Sequence, residues 1–447
     1  MKRVKRGASA CVFLLTLVFM ISVTGCFYSP VTEITDESAD LSVPMDAQQR
    51  QEVTLEVWYA VSGTAGQAFS AEMEAFDKAN DLAEVNLSYS GGANESAAKI
   101  SAALLAGNAP DVALMYAGPA FTGSLGNFTM DQLIRREGFD AADIYPGIWD
   151  YCKYYTSDAI CAVPYGISTQ VLYYNKDILA DAGVDMSNPP KTWDEFYNVC
   201  LQVLEKENAK GNEAFSVFDA DPAGWLFRSM LMQNGCSVVE SDAREGIDPV
   251  FDSEAGIEVA QYWKKLVDSG IMTADEHDLA ESKFLSGNLA FLAMSSNRIS
   301  RWEDAEINIG AIEMPYFTEP SLALSGNVLV IFTRDPQKVE AAWELVSFLL
   351  EPERHSAFAL ETGYLPVYQS ALEVKDISQA VEENELYSVA FRQLSYAHSC
   401  VHFEEMGTMN LEIDEALSRI ERGVLSPQQA LCDAAKRVRE EIAADKS

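Results

Sequence analysis

The chain has 447 residues, and its 32 basic and 68 acidic side chains give a formal net charge of −36. This balance argues against nucleic acid or an anionic membrane surface as partner, because both require a positive patch. The length is more than one hydrophobic core usually holds, so two lobes are expected.

The first 25 residues read as an export signal. Four basic residues within 1–6 precede an apolar run over 10–23 that is too short to span a bilayer well. The sequence VTGC then resembles a bacterial lipobox, in which Cys26 is lipidated and becomes the new N-terminus. A chance cysteine behind an ordinary signal peptide is the alternative. Removal of the signal would leave 28 basic and 68 acidic residues, and 28 minus 68 gives −40.

Residues 26–51 are polar, acidic and poor in periodic apolar positions. Such a segment buries too little surface to offset its ordering entropy. We therefore expect a flexible tether here, with the folded part beginning near Val53.

Strands and helices alternate in the next part of the chain. Hydrophobic periodicity predicts strands over 53–61, 83–90 and 111–116, and helices over 66–80 and 97–111. This order implies parallel strands with right-handed crossovers. Ligands of such sheets bind at the carboxyl ends of the strands, which directs attention to 59–63, 89–95 and 116–119.

The stretch PYGISTQVLYYNKDIL, residues 164–179, places tyrosines and small polar residues among aliphatic ones. Tyr173 and Tyr174 are neighbours, so in a strand they face opposite sides. A hairpin is predicted just before this stretch, and Cys152 and Cys161 flank it. Whether these two cysteines pair stays open.

Later signals add helices and two late strands. Thr192 and Glu195 have the spacing of a capping box, and Ser426 with Gln429 repeats that spacing. Strand-like runs follow at 307–317 and 323–332.

No catalytic or metal motif stands out. The sequence has no HExxH, GxSxG, P-loop or GxGxxG pattern, and none of the six cysteines after Cys26 forms a CxxC pair. Aromatic rings beside small polar residues and glycines recur instead in the loops, as expected for a carbohydrate pocket. A pair of glycosidase carboxylates remains possible among 68 acids.

The motifs LAGNAPDVALMY, AVPYGISTQVLYYNKDIL, NPPKTWDEF, SGNLAFLAMSS and TGYLPV resemble, in this order, extracellular solute-binding proteins of sugar-type ABC transporters. The nearest branch is similar to glycerol-3-phosphate-binding proteins. The resemblance implies an α/β, type II periplasmic-binding-protein-like fold of two lobes, with the ligand in a cleft at a crossing hinge. Lobe one would hold 52–165 and 310–370, and lobe two 168–308 and 373–447.

The same resemblance implies a set of ligand-binding residues drawn from both lobes. They are Tyr59, Ser62, Gly63, Glu95, Tyr116, Tyr165, Ser168, Trp225, Ser295, Gly326, Asn327, Tyr364 and His402. The matching segment of glycerol-3-phosphate binders carries an arginine, whereas residues 399–410 here carry His402 and two glutamates. Because an acidic wall would repel phosphate, an uncharged sugar or oligosaccharide is the preferred ligand.

We therefore expect a monomeric, non-enzymatic receptor subunit of an importer, held outside the cytoplasmic membrane by a lipid on Cys26. Its partners would be a sugar or oligosaccharide, ABC permease subunits and the bilayer, with no nucleic acid, metal or cofactor. The alternatives are a glycerol-3-phosphate or glycerophosphodiester binder and a surface glycan hydrolase. A sensor subunit that presents its ligand to a membrane kinase is not distinguished from transport.

Overall fold

The structure is a computed structural model that describes residues 45–117, 127–153, 160–212, 215–242, 246–302, 305–399, 403 and 405–445. These residues lie in the compact unit Asp40–Ser447. Within these ranges, no helix combines the length and the apolar composition that a membrane span requires. The predicted signal peptide, Cys26 and His402 lie outside the described residues.

The first sheet begins as the sequence predicts. Its strands β1 (Val53–Tyr59), β2 (Ala83–Tyr89) and β3 (Val112–Tyr116) alternate with helices α1 (Gly63–Ala79) and α2 (Ala93–Ala106). Both β2 and β3 pair with β1 in parallel. Both helices begin three to four residues earlier than predicted, because each starts directly in the loop that follows a strand.

Two antiparallel strands complete this sheet. They are β4 (Val163–Ser168) and β12 (Ser325–Ile331), and the order is β2-β1-β3-β12-β4. Helices α10 (Pro336–Leu349) and α11 (Pro352–Thr362) pack against its α1–β1 side.

A second sheet has the order β10-β5-β9-β6. Its strands are β5 (Gln170–Asn175), β6 (Ser216–Asp221), β9 (Leu289–Ser295) and β10 (Ile309–Ile312). Strand β10 pairs with β5, so the late strand near 310 belongs to this sheet and only β12 returns to the first. The prediction that residues 310–370 belong to lobe one was therefore wrong for β10. The lobe boundaries are otherwise still a prediction.

The remaining elements connect or cover these sheets. The helices are α3 (Asn127–Glu137), α4 (Pro146–Asp150), α5 (Lys176–Asp181), α6 (Trp193–Lys210), α7 (Ala223–Gln233), α8 (Glu254–Asp268), α9 (Ala280–Leu285), α12 (Lys375–Glu383), α13 (Glu385–Arg392), α14 (Met406–Glu421) and α15 (Pro427–Asp445). The short strands are β7 (Val239–Asp242), β8 (Gly246–Pro249), β11 (Leu322–Ala323) and β13 (Ala397–His398). The capping box of Thr192 and Glu195 at the start of α6 is confirmed.

The chain crosses between the two sheets inside the tyrosine-rich stretch. Strand β4 ends at Ser168 in the first sheet, and β5 begins at Gln170 in the second. Leu365, beyond α11, bridges to Ile167, so a later segment runs beside the same crossing. At Gly326, with φ of 145°, an added Cβ would lie 2.3 Å from the Gly166 carbonyl oxygen. Only glycine allows these backbones to approach so closely.

The end of the predicted tether is attached to the folded part. The backbone N–H of Gln51 donates to Gln337 Oε1 at 3.0 Å, and Arg50 forms ion pairs with Glu340 and Glu344 of α10. The prediction of a flexible tether over residues 26–51 was therefore wrong for its last two residues. Two glutamates and one glutamine of α10 fix residues 50 and 51 before β1 begins.

The predicted hairpin before β4 is present at its base. Lys153 and Ile160 pair antiparallel, and the backbone N–H of Cys161 donates to the Cys152 carbonyl at 2.9 Å. The two cysteines are thus cross-strand neighbours. Both are buried, and no disulfide joins them in the part of the chain that is described.

Candidate functional site

A cavity of about 190 Å³ lies at the carboxyl ends of β1 and β3, where the two sheets meet. Ser62 and Thr64 enter it from the start of α1, and Tyr116 from the end of β3. Asn297 and Arg301 come from the 3-10 turn Ser296–Arg301, which directly follows β9 of the second sheet. The cavity therefore draws its lining from strands of the first sheet and from a turn that follows the second sheet, and ligand pockets often lie at such junctions.

Cross-strand pairing brings part of the lining together. Asn327 on β12 lies opposite Tyr116 on β3, so antiparallel pairing places both side chains on the same face of the sheet. Asn327 Nδ2 donates to the Tyr364 hydroxyl at 3.1 Å, and Asn297 lines the same cavity. The cavity thus holds one phenol together with amides from β12 and from the turn that follows β9.

The phenol of Tyr364 stays protonated near neutral pH. Its side chain is 6% exposed, and burial raises the pKa of Tyr364. A neutral hydroxyl between two amides can donate to and accept from a ligand hydroxyl. This part of the cavity is therefore suited to a polyol or a sugar.

The start of α1 opens into the same cavity. The first backbone N–H groups of a helix have no partner within it, and the N-cap residue Ser62 makes no side-chain capping bond. Ser62 is instead part of the cavity lining. These N–H groups remain available to an acceptor on a ligand.

Arg301 supplies the positive charge of the cavity. It lines the cavity but forms no ion pair in the described part of the chain, whereas its neighbour Arg298 lies 3.6 Å from Glu281. Burial and the charge of Arg298 lower the pKa of Arg301, while Glu281 opposes this shift. An arginine nevertheless stays charged in proteins. The set of site residues predicted from the sequence contains no arginine.

Four of the predicted site residues line the cavity. They are Ser62, Tyr116, Asn327 and Tyr364. Gly63 lies beside it at the start of α1, where an added Cβ would be 4.0 Å from Arg301 Nη2. Ser295 lies just outside, and its hydroxyl accepts from the backbone N–H of Asn297 at 3.4 Å.

Three predicted residues are buried elsewhere. The Tyr165 side chain is fully buried, with ring contacts to Phe69 and Phe358. Ser168 donates to the Ser325 carbonyl at 3.4 Å, within the crossing. Trp225 is 6% exposed, and its indole N–H donates to the Ala323 carbonyl at 2.8 Å. Core packing therefore uses these side chains, and none of them lines the cavity.

The other predicted residues that the structure describes also lie outside the lining. The Tyr59 ring packs between Phe69 and Tyr89. Glu95 is exposed and pairs with Lys99 at 2.7 Å. Gly326 serves the close backbone approach of the crossing.

Sequence reasoning missed Thr64, Asn297, Arg301 and Thr362, which also line the cavity. In this region the predicted set included only Ser295, at the end of β9. Arg301 lies further along the chain. Its position in a turn at the carboxyl end of a strand is the feature of the sequence that could have identified it.

A larger cavity of about 520 Å³ lies at the β10 edge of the second sheet, where Tyr174 and Glu313 line it. Three of its polar side chains already pair with one another, since Glu313 accepts from Arg392 at 3.0 Å and from Tyr396 at 2.9 Å. No residue from the described strands of the first sheet lines this larger cavity. We therefore place the site in the smaller cavity.

Comparison with known proteins gives consistent similarities. Residues 71–385 match the family described as bacterial extracellular solute-binding protein. The sn-glycerol-3-phosphate-binding periplasmic protein UgpB of Pectobacterium atrosepticum is 26% identical over 414 residues, 88% of this chain and 92% of that protein. UgpB of Salmonella typhimurium is 25% identical over 418 residues, 89% and 94% of the two chains.

Solved structures share the fold. UgpB from Mycobacterium tuberculosis in complex with glycerophosphocholine superposes with a TM-score of 0.75 at 22% identity, covering 89% of this chain and 100% of that one. The cyclic alpha-maltosyl-1,6-maltose binding protein from Arthrobacter globiformis gives 0.72 at 23% identity, covering 87% and 98%. The α/β architecture with two lobes is thereby shown.

Proposed function

The chain belongs to the bacterial extracellular solute-binding proteins, and we propose that it is the membrane-anchored receptor subunit of an ABC importer that captures a small polyhydroxylated ligand. The observation that carries this proposal is the cavity lined by strands of the first sheet and by the turn that follows β9 of the second. A ligand that contacts both lobes binds the closed form better than the open one. Binding therefore shifts the population toward closure, and the closed form delivers the ligand to a permease.

The lining favours a polyhydroxylated ligand. Tyr116, Asn297, Asn327 and Tyr364 offer hydroxyl and amide groups within one cavity, and such groups read the hydroxyls of a sugar or a glycerol derivative. The volume of about 190 Å³ is below the usual range of ligand pockets, roughly 300–1,000 Å³. In this conformation a ligand the size of a monosaccharide fits better than an oligosaccharide.

The cavity does not favour a glycan hydrolase. A glycosidase needs two carboxylates on either side of the scissile bond. The residues that the structure places in the cavity lining include no aspartate or glutamate. Capture without chemistry is therefore the better reading of this site.

Binding is tested by a thermal-shift screen of the purified protein against monosaccharides, oligosaccharides, glycerol 3-phosphate and glycerophosphodiesters. A ligand that binds only the native state raises the melting temperature, and we expect such a rise for at least one small polyol. Small-angle scattering should give a smaller radius of gyration for that complex than for the unliganded protein. Hydrolysis of a glycan in the same mixtures would contradict the proposal.

We further propose that Cys26 carries the lipid anchor. The segment from Cys26 to Asp46 contains about 20 residues and spans at most ~70 Å when extended. It joins the folded part where Arg50 pairs with α10, at the amino end of β1 and away from the cavity. The anchor therefore leaves the cleft accessible.

The anchor is tested with Cys26→Ala and Cys11→Ala expressed in a bacterial host with labelled palmitate. We expect label and membrane association for the natural sequence and for Cys11→Ala, and loss of both for Cys26→Ala. Equal labelling of the two variants would disprove lipidation at Cys26.

A further inference from the structure

Cys152 and Cys161 lie directly opposite each other between the end of α4 and the start of β4. Their neighbours Lys153 and Ile160 form an antiparallel bridge, and the backbone N–H of Cys161 donates to the Cys152 carbonyl at 2.9 Å. Residues that face each other in such a hydrogen-bonded pair have Cα atoms about 5.5 Å apart and side chains on the same side. A disulfide joins cysteines whose Cα atoms are roughly 4.4–6.8 Å apart. The backbone therefore already holds this pair within bonding range.

The surroundings of the two thiols shield them from solvent. Both side chains are fully buried. Burial raises the pKa of Cys152, and the charge that Cys161 would carry beside it raises this pKa further. Burial and Asp131 raise the pKa of Cys161 to about 12. A thiol attacks a disulfide only as the thiolate, so a bond between the two would form before this region is packed and would afterwards be protected from reductants.

The pair lies next to the crossing between the sheets. Tyr151 precedes Cys152, and its hydroxyl donates to the Gly326 carbonyl at 3.1 Å. Gly326 is the residue at which β12 approaches the backbone of β4 most closely. Cys161 in turn lies two residues before β4, which runs to the crossing. A bond between the two sulfurs would therefore tie the end of α4 to β4, at a place where Tyr151 already contacts β12.

We infer that Cys152 and Cys161 form a disulfide in the exported protein, and that this bond clamps the segment that leads into the crossing. The inference rests on the proposed function only for export, because disulfides form and persist outside the cytoplasm. It does not depend on which ligand the cleft binds.

The chemistry requires another disulfide as the oxidant. The structure shows both residues as thiols. One of them, as the thiolate, attacks a sulfur of an exported thiol–disulfide oxidoreductase, or of oxidised glutathione in vitro, and the other oxidant sulfur leaves as a thiolate. The second cysteine then attacks the mixed disulfide and displaces the remaining oxidant sulfur. The pair loses two protons and two electrons in all, and the oxidant gains them as two thiols.

The bond is tested by peptide mapping of the full-length exported protein, denatured with iodoacetamide but without reductant and then digested with trypsin. Trypsin cleaves after Arg136, Lys153 and Lys176, so the two cysteines fall in the separate peptides 137–153 and 154–176. We expect mass spectrometry to find these peptides as one linked species, two hydrogens lighter than their sum.

One variant and one control check the assignment. Cys152→Ser should lose the linked species and leave Cys161 alkylated. Cys432→Ser changes a cysteine of α15 and should keep the linked species. Alkylation of both Cys152 and Cys161 in the natural exported protein, or a bond from either one to a different cysteine, overturns the inference.

Refolding separates the inference from the proposed function. The purified natural protein is unfolded in urea, reduced, and refolded with oxidised or with reduced glutathione, so the result depends neither on export nor on a ligand. We expect the linked species only with oxidised glutathione, and a melting temperature higher by roughly 5 °C than that of the reduced protein. Hydrogen exchange of the β4 amides should also slow in the oxidised protein. The comparison of one sequence in two redox states avoids the cost of burying a serine hydroxyl.

Each outcome bears on one of the two proposals. Absence of the linked species after oxidative refolding refutes the disulfide and leaves the proposed function standing. A linked species whose melting temperature and β4 exchange equal those of the reduced protein refutes the clamp. Retention of the chain in the cytoplasm, or no bound compound in the thermal-shift screen, contradicts the proposed function, and the refolding result then decides the disulfide by itself.

Discussion

At the scale of single residues, hydrogen-bond partners separate the rings that line the cavity from the rings that pack in the core. Tyr364 and Trp225 are each 6% exposed, so exposure alone does not distinguish them. Tyr364 lines the cavity, where its hydroxyl accepts from the Asn327 amide. The indole N–H of Trp225 donates to the carbonyl of Ala323 in β11. The hydrogen-bond partner therefore reveals the role of each ring.

Trp225→Ala should destabilise the fold rather than act on ligand binding directly. Truncating a buried tryptophan leaves a cavity and costs about 3–5 kcal/mol of the free energy of unfolding. Urea unfolding of the unliganded protein measures this loss. Trp58→Ala, at a half-buried position of β1, is the control and should cost less. A ligand affinity reduced tenfold with unchanged stability would return Trp225 to the binding site.

At the scale of elements, one histidine ties several parts of the second lobe together. His277 Nδ1 lies 2.5 Å from Asp219 Oδ1 of β6, and its Nε2 lies 3.0 Å from Glu421 Oε1 at the end of α14. Trp263 of α8 donates to the same Glu421 oxygen at 2.7 Å. Burial opposes a charged imidazolium, but the hydrogen bonds and charges of both carboxylates outweigh it and raise the pKa of His277 to about 10.

This geometry predicts a pH-dependent stability. Because the folded pKa exceeds the unfolded value of about 6.5, the stabilisation is complete below pH 6.5 and is lost as pH rises toward 10. Its full size is on the order of 4 kcal/mol. We expect the difference in unfolding free energy between the natural protein and His277→Gln to shrink between pH 6.5 and 10. Urea unfolding across that range measures it.

His355 provides the matched control. It is fully buried, and burial lowers its pKa to about 4 although its hydrogen bond to the Tyr165 carbonyl acts in the opposite direction. It is therefore neutral in both folded and unfolded chains above pH 6.5. The stability difference caused by His355→Gln should stay constant between pH 6.5 and 10. A constant difference for His277→Gln as well would show that His277 is not charged in the fold.

At the scale of the whole molecule, the crossing between sheets determines where the cleft lies. Strands β4 and β12 of the first sheet run together as far as the pair Ser168 and Ser325, and β5 begins two residues later in the second sheet. Asn327 and Tyr364 lie beside this crossing and also line the cavity. A hinge motion would therefore act directly on groups that line the cavity.

Much of the fold was predictable because its signals are local. The strands and helices between residues 53 and 116, their parallel order and the capping box at Thr192 depend on neighbouring residues, and the structure confirms them. The placement of β10 was not predictable, because pairing between strands distant in the chain depends on which sheet has a free edge. The attachment of Arg50 to α10 likewise joins residues nearly 300 positions apart.

The sequence alone determined the alternating α/β pattern and the strand ends where a ligand would bind, because hydrophobic periodicity and the ends of strands are properties of short segments. The export signal is likewise a prediction from a short segment. Only the tertiary structure decided which side chains line the cleft. Tyr165 and Arg301 show why. Tyr165 belongs to a strand near the crossing and is fully buried, whereas Arg301 follows another such strand and lines the cavity. Packing from distant elements makes that choice, and no local pattern contains it.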